Sequence, residues 1–298
     1  MVSSKPPFIQ EQQILSGYTS WQVGGLAEYF CLPKTLDEIR EVQTWAQTQK
    51  LKITVLGSGS NVLIHDDGIR GLVICMRDFS GMQWDLVGSV WQGTVKAGTG
   101  KSDLLKFFLR EKLAPALFLA GIPGDVGGGV VMNAGVAESF VPREFCEIVD
   151  WVEVLKPDGT LQRLQKNQLT WDYRHSHGWQ PGIVVQVGLR WENTKDDQIL
   201  VQVRDANKLR LSKQPLDKPS CGSVFRNPPG KKAAQLIDSC GLKGYTVGAA
   251  QVSLKHANFI VNLGGARAAD IWSVIEHVRE VVNKQVGVEL QTEVVRLG

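Results

Sequence analysis

The stretch AGIPGDVGGGVVMNAG, residues 120–135, limits what this chain can fold into more than any other segment. Glycine has no Cβ and loses the most backbone freedom on folding, so a run this rich in it fits neither a regular helix nor a regular strand throughout. In an ordinary surface loop the same glycines lower stability without return. A long ligand lying on the backbone explains them better, because glycine lets backbone N–H groups come close to an anion.

Two shorter segments share this property. KAGTGKS, residues 96–102, looks like a phosphate-binding P-loop in which Lys101 and Ser102 would be the phosphate lysine and the magnesium hydroxyl. The full motif needs glycine where Val95 stands, and no acidic metal-holding strand end follows, so an NTPase is disfavoured. A strand-to-helix turn with Ser102 as N-cap is the expectation. GSGSNVL, residues 57–63, has Val62 where a dinucleotide fingerprint has its last glycine, and a strand pattern follows instead of a helix. Its glycines, serines and Asn61 still supply donors suited to a pyrophosphate.

Around these loops the pattern is α+β. A capping box at Thr35 and Glu38 predicts a helix to Lys50 with Leu36, Ile39, Val42 and Ala46 inward, feeding the strand LKITVLG in a β-α-β unit. DLLKFFLREK pairs Leu104, Leu105, Phe108 and Leu109 on one helical face. Residues 147–164 read as a hairpin around Lys156-Pro157-Asp158-Gly159, and GIVVQVGLRWE as a strand. The polar break ENTKDDQ precedes a helix from Ile199 to about Leu211 and marks the main domain boundary. A final helix aligns Ile271, Val274, Ile275, Val278 and Val282 and stops before Gly287.

Composition excludes several classes. A formal charge of +3, from 33 basic and 30 acidic residues, is too small a footprint for nucleic acid to be an expected partner. The start MVSSKPPFIQEQQ lacks the apolar core of a signal peptide, and no window reaches the ~18 apolar residues of a membrane span, so a cytoplasmic chain without a membrane partner is expected. Cys31, Cys75, Cys146, Cys221 and Cys240 are scattered and form no C-x-x-C pair, which suggests neither a disulfide framework nor a metal site.

Taken together, TSWQVGG (19–25), GSGSN (57–61), GIPGDVGGGVVMNAG (121–135), YRHS (173–176), PSCGSVFRNP (219–228), GLKG (241–244), AAQVSLKHANFIVN (249–262) and LQTEV (290–294) resemble the UDP-N-acetylenolpyruvoylglucosamine reductases. The blocks run in order over roughly residues 18–297, and the compact length after YRHS resembles the family's shorter type. The resemblance implies a two-subdomain FAD-binding fold of the vanillyl-alcohol-oxidase type, with subdomains at 1–76 and 77–195, and a C-terminal α+β substrate-binding domain at 196–298. It implies FAD as cofactor, NADPH as co-substrate, a UDP-sugar substrate and a monomer.

By the same resemblance Gly57, Ser58, Gly59, Ser60, Asn61, Leu63, Ile122, Pro123, Gly124, Gly127, Gly128, Asn133 and Gly135 would hold FAD. Arg174 would lie near the carboxylate and developing enolate of the substrate, Ser223 would donate a proton to C2 after hydride reaches C3, and Glu293 would help polarise or protonate the enolate. Arg226, Asn227, Gln251, His256 and Asn258 are the substrate or supporting candidates. Spacing alone makes Cys221 an equally tempting nucleophile and PSCGSVFRNP a turn feeding the strand SVF. A flavin-mediated reduction needs no covalent step, which leaves Cys221 structural.

The family pattern has serine or threonine after Ile-Pro-Gly and alanine after the paired glycines, where this chain has Asp125 and Gly129. An acid pointing at a pyrophosphate costs a few kcal/mol at an effective dielectric of ~20, a cost that vanishes if Asp125 caps a helix end. AESFVPREF and HGWQPG are also atypical, and LQTEV replaces Leu-Glu-Pro-Glu while keeping Glu293. The alternatives are a catalytically impaired flavin or UDP-sugar binding protein of the same fold and another FAD oxidoreductase.

Overall fold

The computed structural model describes residues 4–136 and 140–298. Part of the AESFVPREF segment, Ala137, Glu138 and Ser139, and the first three residues of the start lie outside the described residues. The chain divides into two compact units. The first comprises Met1–Gln10, Phe30–Ser58 and Gly71–Lys208, and the second Glu11–Tyr29, Gly59–Arg70 and Leu209–Gly298.

In the first unit the helix Leu36–Thr48 starts at the Thr35 N-cap with both capping-box bonds made, and it buries Ile39, Val42, Trp45 and Ala46. It leads into the strand Ile53–Leu56, which pairs parallel with Ile69–Cys75 over Leu72 to Cys75. A five-stranded antiparallel sheet follows in the order Met82–Val87, Val90–Lys96, Ile183–Glu192, Val149–Leu155, Leu161–Gln165. Against it packs the helix Lys101–Arg110, whose buried face is Lys101, Leu104, Phe107 and Phe108. Phe107 belongs to that face, stacked on Trp84 at 3.9 Å between ring centroids, while Leu105 and Leu109 are only half-buried.

Two expectations change here. The helix that KAGTGKS opens is N-capped by Gly100, and Ser102 is exposed. Gly100 bridges to Asp125 and the Lys101 N–H donates to Gly124 O at 3.0 Å, which draws this turn inward. Within the glycine run, Val126–Val131 is helical, with Asp125 as its N-cap. Its glycines make room for protein as well as for any ligand: a Cβ on Gly127 would lie 2.9 Å from the Ala97 Cβ, and one on Gly129 would lie 2.6 Å from the Phe145 ring.

The second unit gathers three stretches that are far apart in the sequence. Trp21, fully buried, donates its indole N–H to Ile260 O at 2.7 Å, and Asn262 returns a bond to Trp21 O at 2.9 Å. The helix Ala268–Val286 lays Ile271, Val274, Ile275, Val278 and Val282 into the core and ends at Gly287 in the left-handed region, φ 65°. Its first N–H groups, on Ala268 and Ala269, donate to the Asp66 carboxylate. Thr246–Val247, Ala250–Val252 and Ile260–Asn262 form a three-stranded antiparallel sheet, and Val295–Leu297 pairs parallel with Val62–Ile64. Residues 223–225 form no regular strand: one bridge, Phe225 with Thr292, replaces it.

Gly129→Ala is expected to destabilise the chain by about 1–3 kcal/mol, because the new methyl must displace the Phe145 ring in a packed core. Gly17→Ala, which meets nothing within 4 Å, is expected to stay within about 0.5 kcal/mol of the parent. Urea unfolding of the two variants side by side measures the difference.

Candidate functional site

In the first unit the glycine loops meet through one side chain. Asp125 is 3% exposed, and its carboxylate accepts hydrogen bonds from the Ser58 N–H, the Ser58 hydroxyl at 2.9 Å and the Gly128 N–H at 2.7 Å. Gly57 is required there, since a Cβ would lie 2.3 Å from Asp125 Oδ2. The acid therefore caps a helix end and is turned into the loops. The Gly127 N–H is likewise engaged, at 2.7 Å from Ala97 O. By contrast the backbone N–H group of Gly124 has no acceptor among the described residues. It is a donor that a bound pyrophosphate can take, and it makes this loop a fit for FAD.

Asn133, 1% exposed with φ 36°, acts as a strut. Its Oδ1 accepts from the Cys146 N–H at 3.0 Å, and its Nδ2 donates to Glu144 Oε2 at 3.1 Å and Asp172 O at 3.2 Å. It thereby anchors the hairpin Thr170–Asp172/His175–His177, whose connecting residues are Tyr173 and Arg174. Arg174 has φ 59°, a region where only glycine is unstrained, and its guanidinium lies 4.8 Å from the Tyr173 ring centroid. Ile122 and Pro123 flank Gly124, and Gly135 bridges to Glu144 with no room for a Cβ beside Arg143 O.

In the second unit, Glu293 N–H donates to Val224 O at 2.8 Å and Arg226 N–H to Gln291 O at 2.9 Å. These bonds put Ser223 and Glu293 on two short segments that run side by side. Asn258 holds the first segment from behind: its side chain exchanges two bonds with the Phe225 backbone, at 2.9 and 2.8 Å, while its own carbonyl accepts from Val224 N–H. The side-chain amide of Asn61 donates to Glu293 O at 3.0 Å, and Val295 N–H returns to Asn61 O, so the loop at 59–61 is tied to the second segment. Leu63 belongs to the core of this unit.

Of the substrate candidates, Asn227 accepts from Ala233 N–H at the start of the helix Ala233–Ser239, and Gln251 donates to the Thr246 hydroxyl. Arg226 Nε and His256 Nδ1 are buried polar atoms with no hydrogen-bond partner among the described residues. Burial, and then the charge of Lys243, lower the His256 pKa and keep it neutral. Among the described residues no three His, Cys, Asp or Glu side chains are grouped to hold a metal, and no helix is long and apolar enough to cross a membrane.

Cys221 is buried, and burial followed by the charge of Glu293 raises its thiol well above the usual range. Burial likewise raises Cys31 to about 12 and Cys75 to about 11. A thiol this far from ionising is no nucleophile at neutral pH. Two features stand out: the helix cap that the sequence allowed for Asp125 is made, and Lys101, 5% exposed, is buried, which the sequence reading missed. The only signal for the first was that aspartate favours N-caps. For the second, the i, i+3, i+7 spacing of Lys101 with Leu104 and Phe108 put it on the inward face.

Comparison with known proteins agrees with this geometry. The family of UDP-N-acetylenolpyruvoylglucosamine reductase C-terminal domains matches residues 214–297, and an FAD-binding domain family matches residues 27–165. The chain is 39% identical to a UDP-N-acetylenolpyruvoylglucosamine reductase of Listeria innocua, over 97% of this chain and 95% of the relative. It is 42% identical to one from Nostoc punctiforme, over 97% and 86%. The crystal structure of the Thermus caldophilus enzyme of that name superposes with a TM-score of 0.81 at 35% identity, covering 98% of this chain and 100% of that one. A berberine-bridge-enzyme-like protein of Physcomitrella patens, 12% identical, shares the fold at a TM-score of 0.55.

Asn258→Ala is expected to cost about 2–4 kcal/mol in urea unfolding, because it orphans the buried N–H and C=O of Phe225. Iodoacetamide at pH 8 is expected to leave Cys31, Cys75 and Cys221 unmodified in the folded chain and to label them after unfolding, as read by mass spectrometry. Raised thiol pKa values also fix the sign with pH. The unfolded thiols release protons from about pH 8.5 upward and the folded ones later, so these groups stabilise the fold below about pH 8.5 and lose that contribution at more alkaline pH.

Proposed function

Because the chain belongs to the UDP-N-acetylenolpyruvoylglucosamine reductase family, we propose that it reduces the enolpyruvyl group of that UDP-sugar to give UDP-N-acetylmuramate, a precursor of peptidoglycan. FAD, when bound, supplies the hydride that reaches C3 of the enolpyruvyl group and is itself recharged by NADPH. The two-subdomain FAD-binding fold carries the cofactor. Gly124 is an N–H donor toward its phosphates, with Ser58 and Gly57 shaping the loop around Asp125.

The chain's own residues handle the charge and the proton. Arg174 offers a permanently charged planar fork to the substrate carboxylate and to the oxygen on which enolate charge develops. Ser223 donates a proton to C2. A serine hydroxyl is a weak acid, so the alkoxide it leaves needs stabilising by nearby cations and hydrogen bonds, or a water relay. Glu293 polarises or protonates the enolate, and Arg226 and His256 bind polar groups of the UDP-sugar. The observation that carries this reading is the pairing of residues 224–226 with 291–293. It pairs the segment that carries Ser223 with the one that carries Glu293, although the sequence separates them widely.

The same reading divides the chain by role at 1–76, 77–195 and 196–298. The two family matches, ending at 165 and starting at 214, support the last of these boundaries. It also describes a monomer acting on two small molecules in the cytoplasm, with no nucleic acid or membrane partner, in keeping with the near-balanced charge. Asp125, the residue that favoured an impaired flavin binder, does not carry that alternative, because its carboxylate is directed into the loops.

The purified chain is expected to be yellow with an FAD spectrum and to oxidise NADPH when given the enolpyruvyl UDP-sugar. A colourless chain with no affinity for FAD would sink the proposal. Ser223→Ala is expected to leave the reduction of FAD by NADPH nearly unchanged while abolishing product. Parallel loss of both half-reactions, or loss of neither, would remove the role assigned to Ser223.

A further inference from the structure

Lys101 is used by none of the chemistry above, yet it is one of the few buried charges of the first unit. Its Nζ donates to Pro123 O at 2.8 Å and sits 5.3 Å from the centroid of the Phe145 ring, while its backbone N–H donates to Gly124 O. Both ends of the residue are therefore fastened to the segment that runs into Asp125. Asp125 is equally buried, and every donor to its carboxylate, Ser58 N–H, Ser58 hydroxyl and Gly128 N–H, is neutral. A carboxylate withdrawn from water needs a counter-charge, and so does an ammonium. Arg77 donates to Ser58 O at 2.8 Å. Burial lowers Lys101 to about 8, the charge of Asp125 opposes that fall and the charge of Arg174 adds to it, so the ammonium persists at neutral pH.

We propose that Lys101 and Asp125 form a charge-compensated clamp that presets the loops at 57–58 and 123–128 for FAD, which makes Lys101 a positioning residue for the cofactor. Lys101 fixes Pro123, Asp125 fixes Ser58 and Gly128, and Gly124, whose N–H is open to a phosphate, lies between them. The clamp also keeps the buried carboxylate of Asp125 compensated while it holds the loops. This rests on the FAD role assigned above.

FAD affinity of the cofactor-stripped chain, read from flavin fluorescence, tests it together with the melting temperature of the same stripped variants. Lys101→Met is expected to weaken binding about tenfold or more, by leaving Asp125 uncompensated. Asp125→Asn is expected to weaken binding in the parent chain but to strengthen it in the Lys101→Met background, a reversal of sign that loss of packing does not produce. Lys101→Arg, which keeps the charge, is expected to stay within about threefold of the parent, and it carries the comparison if the methionine variant fails to fold. Unchanged affinity in Lys101→Met, or an Asp125→Asn effect of the same sign in both backgrounds, would overturn the clamp. So would a Lys101→Arg variant as weak as Lys101→Met. Failure of the parent itself to bind FAD would instead overturn the proposed function.

Discussion

One buried carboxylate organises the glycine loops of the first unit. Three donors converge on Asp125 from two loops that the sequence separates by more than sixty positions, and each is a donor that a phosphate could otherwise have claimed. The consequence is a division of labour within the glycine segments. Some N–H groups hold the protein to itself, as at Gly127 and Gly128, and another, at Gly124, remains open. A phosphate-binding loop with all its donors open would have no internal bonds to fix its shape. The mixture gives it both a shape and a capacity for ligand.

The second unit follows a related logic with an amide in place of an acid. Asn258 satisfies the N–H and C=O of Phe225 together, as a neighbouring strand would, and so holds extended a segment that has only one bridge of its own. Asn133 does similar work for the turn bearing Arg174. In each case a side chain with both donor and acceptor replaces regular secondary structure around a residue with a proposed chemical role. Irregular backbone can then carry a reactive side chain without leaving buried polar groups unpaired.

Periodicity made the regular elements legible. The capping box at Thr35, the stripe from Ile271 to Val282, the hairpin around Asp158 and the stop at Gly287 all follow from local rules that act over a few residues. What periodicity could not show was any effect decided by tertiary contact. Six residues of the glycine run are helical because a Thr99–Val126 bond and the Asp125 cap hold them so, against their propensity. Gly129 is small because Phe145 lies against it, which no local pattern encodes. Among site residues, ordered blocks brought Ser223 and Glu293 to attention, but their side-by-side backbone pairing required the fold. The roles of Asn133 and Asn258 as braces could not be told from ligand contacts by residue type alone, since an amide serves equally well for either.

The discontinuity of the second unit bears on how the chain is made. Trp21 leaves the ribosome some 240 positions before its partners, Ile260 and Asn262. Residues 11–29 and 59–70 therefore wait, apolar side chains uncovered, while the intervening first unit has all of its sequence available and can fold. At ~5–20 residues per second that interval lasts on the order of ten seconds or more. The order of burial inverts the order of synthesis: residues 11–29 precede most of the first unit in the chain but are covered after it. During that interval the nascent protein exposes a tryptophan-bearing edge that chaperones can hold and that neighbouring chains can capture.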